Sequence, residues 1–140
     1  MINLKKAEKM MQKSLVKDMG LNFTFESDKD HLKAKNSVTL KGHDDDVLID
    51  IDVYANGVLG VCFVFDKLEK TVKTLELIEN FNESNAWLSA YITGKGYLAL
   101  RYNVADVIEE TLMPNLTFIL NKLVSDDVKA SLQLLTVLTH

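Results

Sequence analysis

The side chains best suited to chemistry are carboxylates gathered before and within one strand-like segment. The run His43-Asp44-Asp45-Asp46 precedes the segment, and Asp50 and Asp52 lie two residues apart inside it. Several converging oxygens would suit a hard cation, but the calcium-loop spacing, D-x-D-x-D-G with a glutamate at the twelfth position, is missing. Asp50 and Asp52 share one face of a strand and are suited to acid–base work. We predict no metal site here, and as an alternative function a small ligand-binding domain or hydrolase with an acidic site near Asp50 and Asp52.

Nucleophilic, zinc and phosphate-binding sites have less support still. Cys62 lies in an apolar run, where an inert core residue is the usual role of a cysteine. The histidines His31, His43 and His140 are too widely scattered to form a zinc site with that one cysteine. Gly94-Lys95-Gly96 lacks the G-x-x-x-x-G-K-[ST] pattern that cradles phosphate, and it predicts a hairpin turn. The residues therefore predict no catalytic group and no cofactor.

Composition limits the class of protein. The chain has 140 residues, of which 47% are hydrophobic and 26% charged, as expected for a single domain spanning residues 1–140. Its net charge is −4, and one arginine stands against fifteen lysines, which argues against phosphate recognition and nucleic-acid binding. No apolar stretch approaches the roughly 20 residues of a membrane-spanning helix. Because no apolar leader follows the first lysines and there is a single cysteine, we expect a cytoplasmic protein that binds neither membrane nor nucleic acid.

A stripe of positive charge interrupts this acidic balance. Lys5, Lys9, Lys13 and Lys17 recur every four residues along the first predicted helix. A solvated helix face explains such a stripe, and an acidic segment of a partner or of a second copy would also fit it.

Hydrophobic periodicity predicts the elements that position these residues. Apolar residues at spacings of three and four predict a helix from Asn3 to a terminal Gly20, and another over residues 68–82. Short alternating runs predict the strands, and the element order is α-β-β-β-α-β-β-α. The last helix contains Pro114, which either opens it at its first turn or kinks it. We predict an α+β fold in which helices pack on an antiparallel sheet.

The strongest local signal is a hairpin between residues 47 and 66. Asn56-Gly57 favours a two-residue type I′ turn, because both turn positions need a positive φ. Such a turn pairs Ile51 with Cys62 and Asp52 with Val61, and it separates an apolar face from a mixed face. The mixed face combines Leu48, Asp50, Asp52 and Tyr54 with Leu59, Val61, Phe63 and Phe65.

The mixed face has more apolar side chains than a solvated surface normally carries. Either a helix of the same chain covers it, or it is an interface with a second copy or a peptide. We predict that the interface or partner-binding residues are Tyr54, Leu59, Val61, Phe63 and Phe65. The carboxylates of Asp50 and Asp52 would then lie at its rim.

The C-terminal stretch, residues 112–138, has apolar side chains on more than one helical face, including Leu116, Phe118 and Ile119. A helix that is apolar nearly all round is deeply buried or packed on two sides, and in a small domain the second side indicates a second subunit. Ser125-Asp126-Asp127 offers a fresh N-cap within this stretch. We expect a homodimer.

The order of elements, the chain length and the acidic composition resemble the type III secretion chaperone-like fold over essentially the whole chain. Residues 77–85, followed by the predicted strands at 87–92 and 97–102, resemble the YbjN family of sensory transduction regulators. In that family a helix ending in an N-x-x-N-like stretch precedes a strand hairpin. The resemblance implies a non-enzymatic, chaperone- or regulator-like protein that is homodimeric and holds a partner polypeptide on its sheet or helices. It supplies no site residues.

Overall fold

Alternation of apolar and polar side chains along the strands builds one sheet with two unlike faces. The structure, a computed structural model, describes residues 1–38 and 47–123. The elements in this part of the chain are α1 (Leu4–Met11), continued by a π-helical segment (Gln12–Asp18), β1 (Thr24–Ser27), β2 (His31–Val38), β3 (Val47–Tyr54), β4 (Leu59–Lys67), α2 (Val72–Ser84), β5 (Ser89–Ile92), β6 (Tyr97–Val104) and α3 (Glu109–Leu123). All the strand pairs are antiparallel, in the order β1-β2-β3-β4-β6-β5.

The predicted α+β class with an antiparallel sheet is confirmed, but the element order differs in one place. Four strands precede α2, where the sequence predicts three. The additional strand belongs to the β1–β2 hairpin, whose turn is held by Asp28: its Oδ1 accepts from the backbone N–H groups of Asp30 and His31, each at 2.9 Å. Lysines alternate with small and apolar residues along β2, so its apolar signal is weak.

The first helix follows the prediction closely. Asn3 caps it by accepting a hydrogen bond from the backbone N–H of Lys6 at 3.1 Å, and Gly20 follows its end with a φ of +72°. Its inner side buries Ala7, Met11 and Leu15. The predicted lysine stripe lies on the outer side, where all four lysines are exposed.

One face of the sheet is covered by helices. Its side chains join Ala7 and Met11 of α1 and Leu112 and Leu116 of α3 in a single core. The buried strand residues on this face include Leu32, Ala34, Ile49, Ile51, Val53, Leu59, Val61, Phe63, Phe65, Leu98 and Leu100.

The opposite face, which we call the open face, has no described helix packed on it. Its side chains are half-buried or exposed, except for the small Ala99. The open face includes His31, Lys33 and Lys35 of β2, Leu48, Asp50, Asp52 and Tyr54 of β3, Cys62 and Val64 of β4, Tyr91 of β5, and Arg101 and Asn103 of β6.

The hairpin between β3 and β4 has a three-residue connection, residues 55–57. The Tyr54 backbone N–H donates to the Val58 carbonyl at 2.9 Å, and the Gly57 N–H donates to the Tyr54 carbonyl at 3.0 Å. Gly57 has a φ of +93°, as expected for the last position of a three-residue loop with a bulge. The turn therefore lies at the predicted place with one residue more than predicted.

This extra residue makes the predicted register wrong by one. Asp50 pairs with Cys62, Asp52 with Gly60, and Val53 with Leu59. Because side chains alternate with period two, a shift of one residue along one strand moves its whole set of partners to the other face.

The same three-residue loop ties distant parts of the chain together. The Ala55 carbonyl accepts from the N–H of Ile2 at 2.9 Å, and the Ala55 N–H donates to the Asp30 carbonyl at 2.9 Å. The Gly57 carbonyl accepts from the N–H of Val107 at 2.8 Å, just before α3 begins. The loop thus fixes the starts of α1 and α3 and the β1–β2 turn.

Pro114 lies inside α3, so the alternative that it opens the first turn is wrong. Proline has no backbone N–H to donate within the helix. The side chain of the neighbouring Asn115 donates to the Thr111 carbonyl at 2.8 Å and accepts from the Tyr102 hydroxyl at 3.2 Å. The predicted cap at 125–127, the acidic run 43–46 and His140 lie outside the described residues.

We expect Gly57→Ala to destabilise the fold more than Gly20→Ala. Both glycines have a positive φ, which costs an alanine about 1 kcal/mol. Only at Gly57 does an added Cβ meet a close neighbour, the Val107 carbonyl oxygen at 2.9 Å. Urea unfolding of the two variants measures the difference, and equal losses would show that the contact with Val107 is unimportant.

A second prediction concerns the contact between the starts of α1 and α3. Glu109 accepts from the Asn3 backbone N–H at 3.0 Å and pairs with Lys6 Nζ at 3.1 Å, and these contacts lower the pKa of the Glu109 carboxyl, the Asn3 hydrogen bond first. A lowered carboxyl pKa in the folded state adds stability above the ordinary value, 4.5, and that stability is lost as the pH falls through the folded pKa. We expect Glu109→Gln to lower the Tm at pH 7, with the difference from wild type disappearing in acid. Glu110→Gln is the control, and an equal effect there would contradict the prediction.

Candidate functional site

The structure separates the five predicted interface residues. Leu59, Val61, Phe63 and Phe65 are at most 4% exposed and lie in the core, on the helix-covered face. Tyr54 is 39% exposed and lies on the open face. The prediction of a mixed face is therefore wrong, because the four apolar residues of β4 do not share a face with Asp50, Asp52 and Tyr54. Helices of the same chain cover them, as in the first of the two alternatives.

Charged and aromatic side chains meet on the open face around Asp52. Its Oδ1 lies 2.7 Å from His31 Nε2 and 3.6 Å from Lys33 Nζ. The His31 ring stacks on the Tyr54 ring, with centroids 4.5 Å apart and planes 7° from parallel. Asp52 therefore serves first as the partner of two basic groups from the neighbouring strand.

Asp50, the other candidate carboxylate, lies one step along the same face. Its partner in the register is Lys35 of β2, but no ion pair between described residues includes either of them. No group of three or more His, Cys, Asp or Glu side chains in the described ranges is arranged to hold a metal ion. The alternative of a ligand-binding or hydrolytic site near Asp50 and Asp52 stays a prediction.

Further along the open face, three side chains converge between β4, β5 and β6. The Cys62 Sγ and the Tyr91 hydroxyl are 3.7 Å apart, and the Arg101 guanidinium lies over the Tyr91 ring at 5.8 Å from its centroid. Burial first, and the Cys62 contact second, raise the pKa of Tyr91 above its usual value. Tyr91 is thus a neutral, packed ring at neutral pH and positions Arg101 at the surface.

Large apolar side chains are also exposed on the open face. Leu48 is 51% exposed and Tyr54 is 39% exposed, on the same strand as the two carboxylates. Apolar area interspersed with charges is typical of the surfaces by which proteins recognise each other.

A cleft of about 480 Å³ lies beside the last residues of β6, where β5 no longer pairs with that strand. Trp87, 53% exposed, stands in the loop after α2 and packs edge to face against Phe118 of α3, with centroids 5.1 Å apart. The lining residues are Ala86, Trp87, Ser89, Tyr91, Arg101, Tyr102, Asn103 and Val104.

The edge of β5 next to this cleft is closed by a side chain. Asn82 of α2 accepts from the Ala90 backbone N–H at 2.6 Å and donates to the Ala90 carbonyl at 3.1 Å. The amide thereby replaces the backbone of a missing neighbouring strand. Asn85 donates to the Phe81 carbonyl at 2.8 Å and closes the end of α2. Both asparagines of the N-x-x-N-like stretch thus have structural roles.

Sequence reasoning missed the cleft. Trp87 lies in the loop after α2, whereas Arg101 and Asn103 lie on β6, and the unequal lengths of β5 and β6 bring them to one cleft. A signal was present: an isolated tryptophan directly after a helix, where solvation alone does not favour so large an apolar side chain.

Comparison with known proteins found no matching family model, no matching curated protein and no matching solved structure. Among the described helices, none has the length and apolar character needed to cross a membrane.

We expect Asp52→Asn to cost about 1 kcal/mol of stability, because it removes the charge shared by two partly buried basic groups. Asp50→Asn is the matched control on the same strand and face, and we expect a change within about 0.5 kcal/mol. Chemical unfolding at low and high salt measures both. A loss at Asp50 equal to that at Asp52 would contradict the assignment of Asp52 as the central acceptor.

Proposed function

We propose that this chain is a non-enzymatic protein-binding module, chaperone- or regulator-like, which forms a homodimer and holds a segment of a partner polypeptide. The observation that carries the proposal is the open face: one of the two faces of the six-stranded sheet has no described helix packed on it. Antiparallel sheets tolerate one solvated face when that face is polar throughout. Leu48 and Tyr54 depart from that pattern and supply the apolar area of an interface.

The charges of the open face suit a second copy of the same chain. In a twofold dimer the same patch meets itself, so each patch must contain both halves of every charge pair. Asp50 on β3 and Lys35 on β2 meet this condition, and both lie beside the apolar Leu48. Two copies turned about an axis near these residues would bring the Asp50 of each toward the Lys35 of the other.

The site residues first predicted are replaced in this proposal. Tyr54 remains, since it is exposed beside His31, and Leu48, Lys35 and Asp50 take the place of the four core residues of β4. A dimer of this kind leaves the lysine stripe of α1 and the cleft beside β6 available to other partners.

The test is the solution mass of the reduced protein, measured by light scattering behind a sizing column at several concentrations. We expect a mass of twice 15.8 kDa for the wild type. Leu48→Glu places a third carboxylate beside Asp50 and Asp52, and we expect it to weaken association by about tenfold or more, because one desolvated charge costs upward of 1.4 kcal/mol.

The matched control is Leu75→Glu, the same substitution on α2 at a leucine that is 43% exposed, against 51% for Leu48. Far-ultraviolet circular dichroism checks that both variants fold. A wild type that stays monomeric at every concentration would overturn the dimer. Equal weakening by the two variants would move the interface away from the open face.

A further inference from the structure

The two strands at one end of the sheet differ in length, and this leaves part of β6 without a partner. β5 has four residues and β6 has eight, and the last pair between them is Ser89 with Arg101. Beyond that pair, residues 102–104 of β6 are bound to β4 on one side. On the other side they border the cleft.

The antiparallel hydrogen-bond pattern directs the backbone N–H and C=O groups of one residue of this segment into the cleft. In an antiparallel pair, backbone groups point toward the partner strand at every second residue. The Thr93 N–H donates to the Tyr97 carbonyl in the β5–β6 register, while Ala90 turns its backbone groups outward to Asn82. By the same alternation, Asn103 directs its N–H and C=O to the β5 side. No described residue forms a hydrogen bond with these two groups, and Asn103 is exposed.

Both edge strands of the sheet have features that discourage pairing with another strand. Short edge strands and side chains that cover an edge are two ways in which proteins prevent unwanted strand pairing. β1 is only four residues long, and Asn82 covers β5 at Ala90. In contrast to the situation at Ala90, no described side chain forms a hydrogen bond with the outward backbone groups of Asn103.

The side chains around the opening have a definite chemistry on each side. On the open face stands Arg101, the chain's one arginine, which forms no ion pair with any described residue. Toward the helix-covered face stand Tyr102, Val104 and the aromatic pair Trp87 and Phe118. The opening is thus positive on one side and apolar on the other.

We infer that this cleft binds an extended segment of a partner polypeptide, which adds a strand to residues 102–104 of β6. The segment's central residue exchanges backbone hydrogen bonds with Asn103 and directs its side chain to the open face. A carboxylate at that position pairs with Arg101, which lies two residues along the same face. The residues on either side of the central one direct apolar side chains toward Trp87 and Tyr102. The partner segment therefore has the sequence pattern apolar–acidic–apolar.

This inference rests on the proposed function in naming where the held polypeptide binds, but its test is independent of the dimer. A strand across three residues is about 10 Å long, so isolated peptides bind weakly. Trp87 is the single tryptophan of the chain and lines the cleft, so its fluorescence reports occupancy directly.

The probe is the blocked heptapeptide TTVEVTT, titrated into the wild-type protein while Trp87 fluorescence is recorded and calorimetry gives the Kd. Two control peptides isolate the two contacts: TTVKVTT reverses the charge, and TTVEVTT with an N-methylated glutamate removes the backbone donor. We expect each change to weaken binding by about tenfold or more, as for the loss of a hydrogen bond that involves a charged or buried group.

Variants of the protein test the same contacts from the other side. Arg101→Glu should weaken TTVEVTT by the same factor and favour TTVKVTT. Asn103→Pro removes the outward donor, which an edge strand tolerates, and should also weaken binding. The matched control is Lys67→Glu, because Lys67 likewise lies over a tyrosine ring, that of Tyr97 at 5.4 Å, but does not line the cleft.

Three results would overturn the inference. One is no fluorescence or heat response to TTVEVTT at millimolar concentration. The second is equal affinity for the charge-reversed or N-methylated peptide. The third is equal binding of succinate or inorganic phosphate, which would make the cleft a small-anion site. Light scattering on the same samples separates these from a failure of the dimer, and Leu48→Glu should bind the peptide as the wild type does.

Discussion

The rest of the structure depends on the tight turn at residues 55–57 and on the positive φ that Gly57 adopts there. Closing the β3–β4 hairpin with three residues sets the register, and the register determines which side chains enter the core. The backbone groups of the same turn bind Ile2, Asp30 and Val107. A single loop thus selects the buried face of the sheet and fixes the starts of the two helices that cover it.

The two faces that result have different energetics. On the covered face, eight alternating residues of β3 and β4 are nearly or fully inaccessible, and their burial with α1 and α3 is the main stabilising contribution to the fold. On the open face, several polar groups pair with one another: Asp52 with His31 and Lys33, and Tyr91 with Cys62 and Arg101. No buried side-chain nitrogen or oxygen among the described residues lacks a partner. The open face therefore combines paired polar groups with the exposed side chains of Leu48 and Tyr54.

One part of the β5–β6 edge is covered by a side chain, and another part has unpaired backbone groups. Asn82 closes β5 with the two hydrogen bonds that a neighbouring strand would form, at the cost of one side chain from α2. A few residues away, β6 extends beyond β5, and the backbone of Asn103 lies unpaired between Arg101 and the aromatic pair Trp87 and Phe118. The proposed dimer and the proposed peptide site use different parts of the molecule, the middle of the open face and its far edge, so one chain has room for both.

Local sequence patterns determined the α+β class, the presence and approximate positions of α1 and α2, and the position of the hairpin turn, because caps, periodicity and glycine preferences act over a few residues. The Gly94–Gly96 turn was predicted correctly, but Cys62, predicted to be an inert core residue, lies half-buried on the open face. The same patterns did not determine whether the turn after Tyr54 has two residues or three, since Asn56-Gly57 suits both. That single residue moved Leu59, Val61, Phe63 and Phe65 from a predicted interface into the core. Only the tertiary structure decided this, because helices from both ends of the chain must pack on one face. It alone brought Trp87, Arg101 and Asn103 to one cleft, because their proximity depends on where β5 stops beside β6.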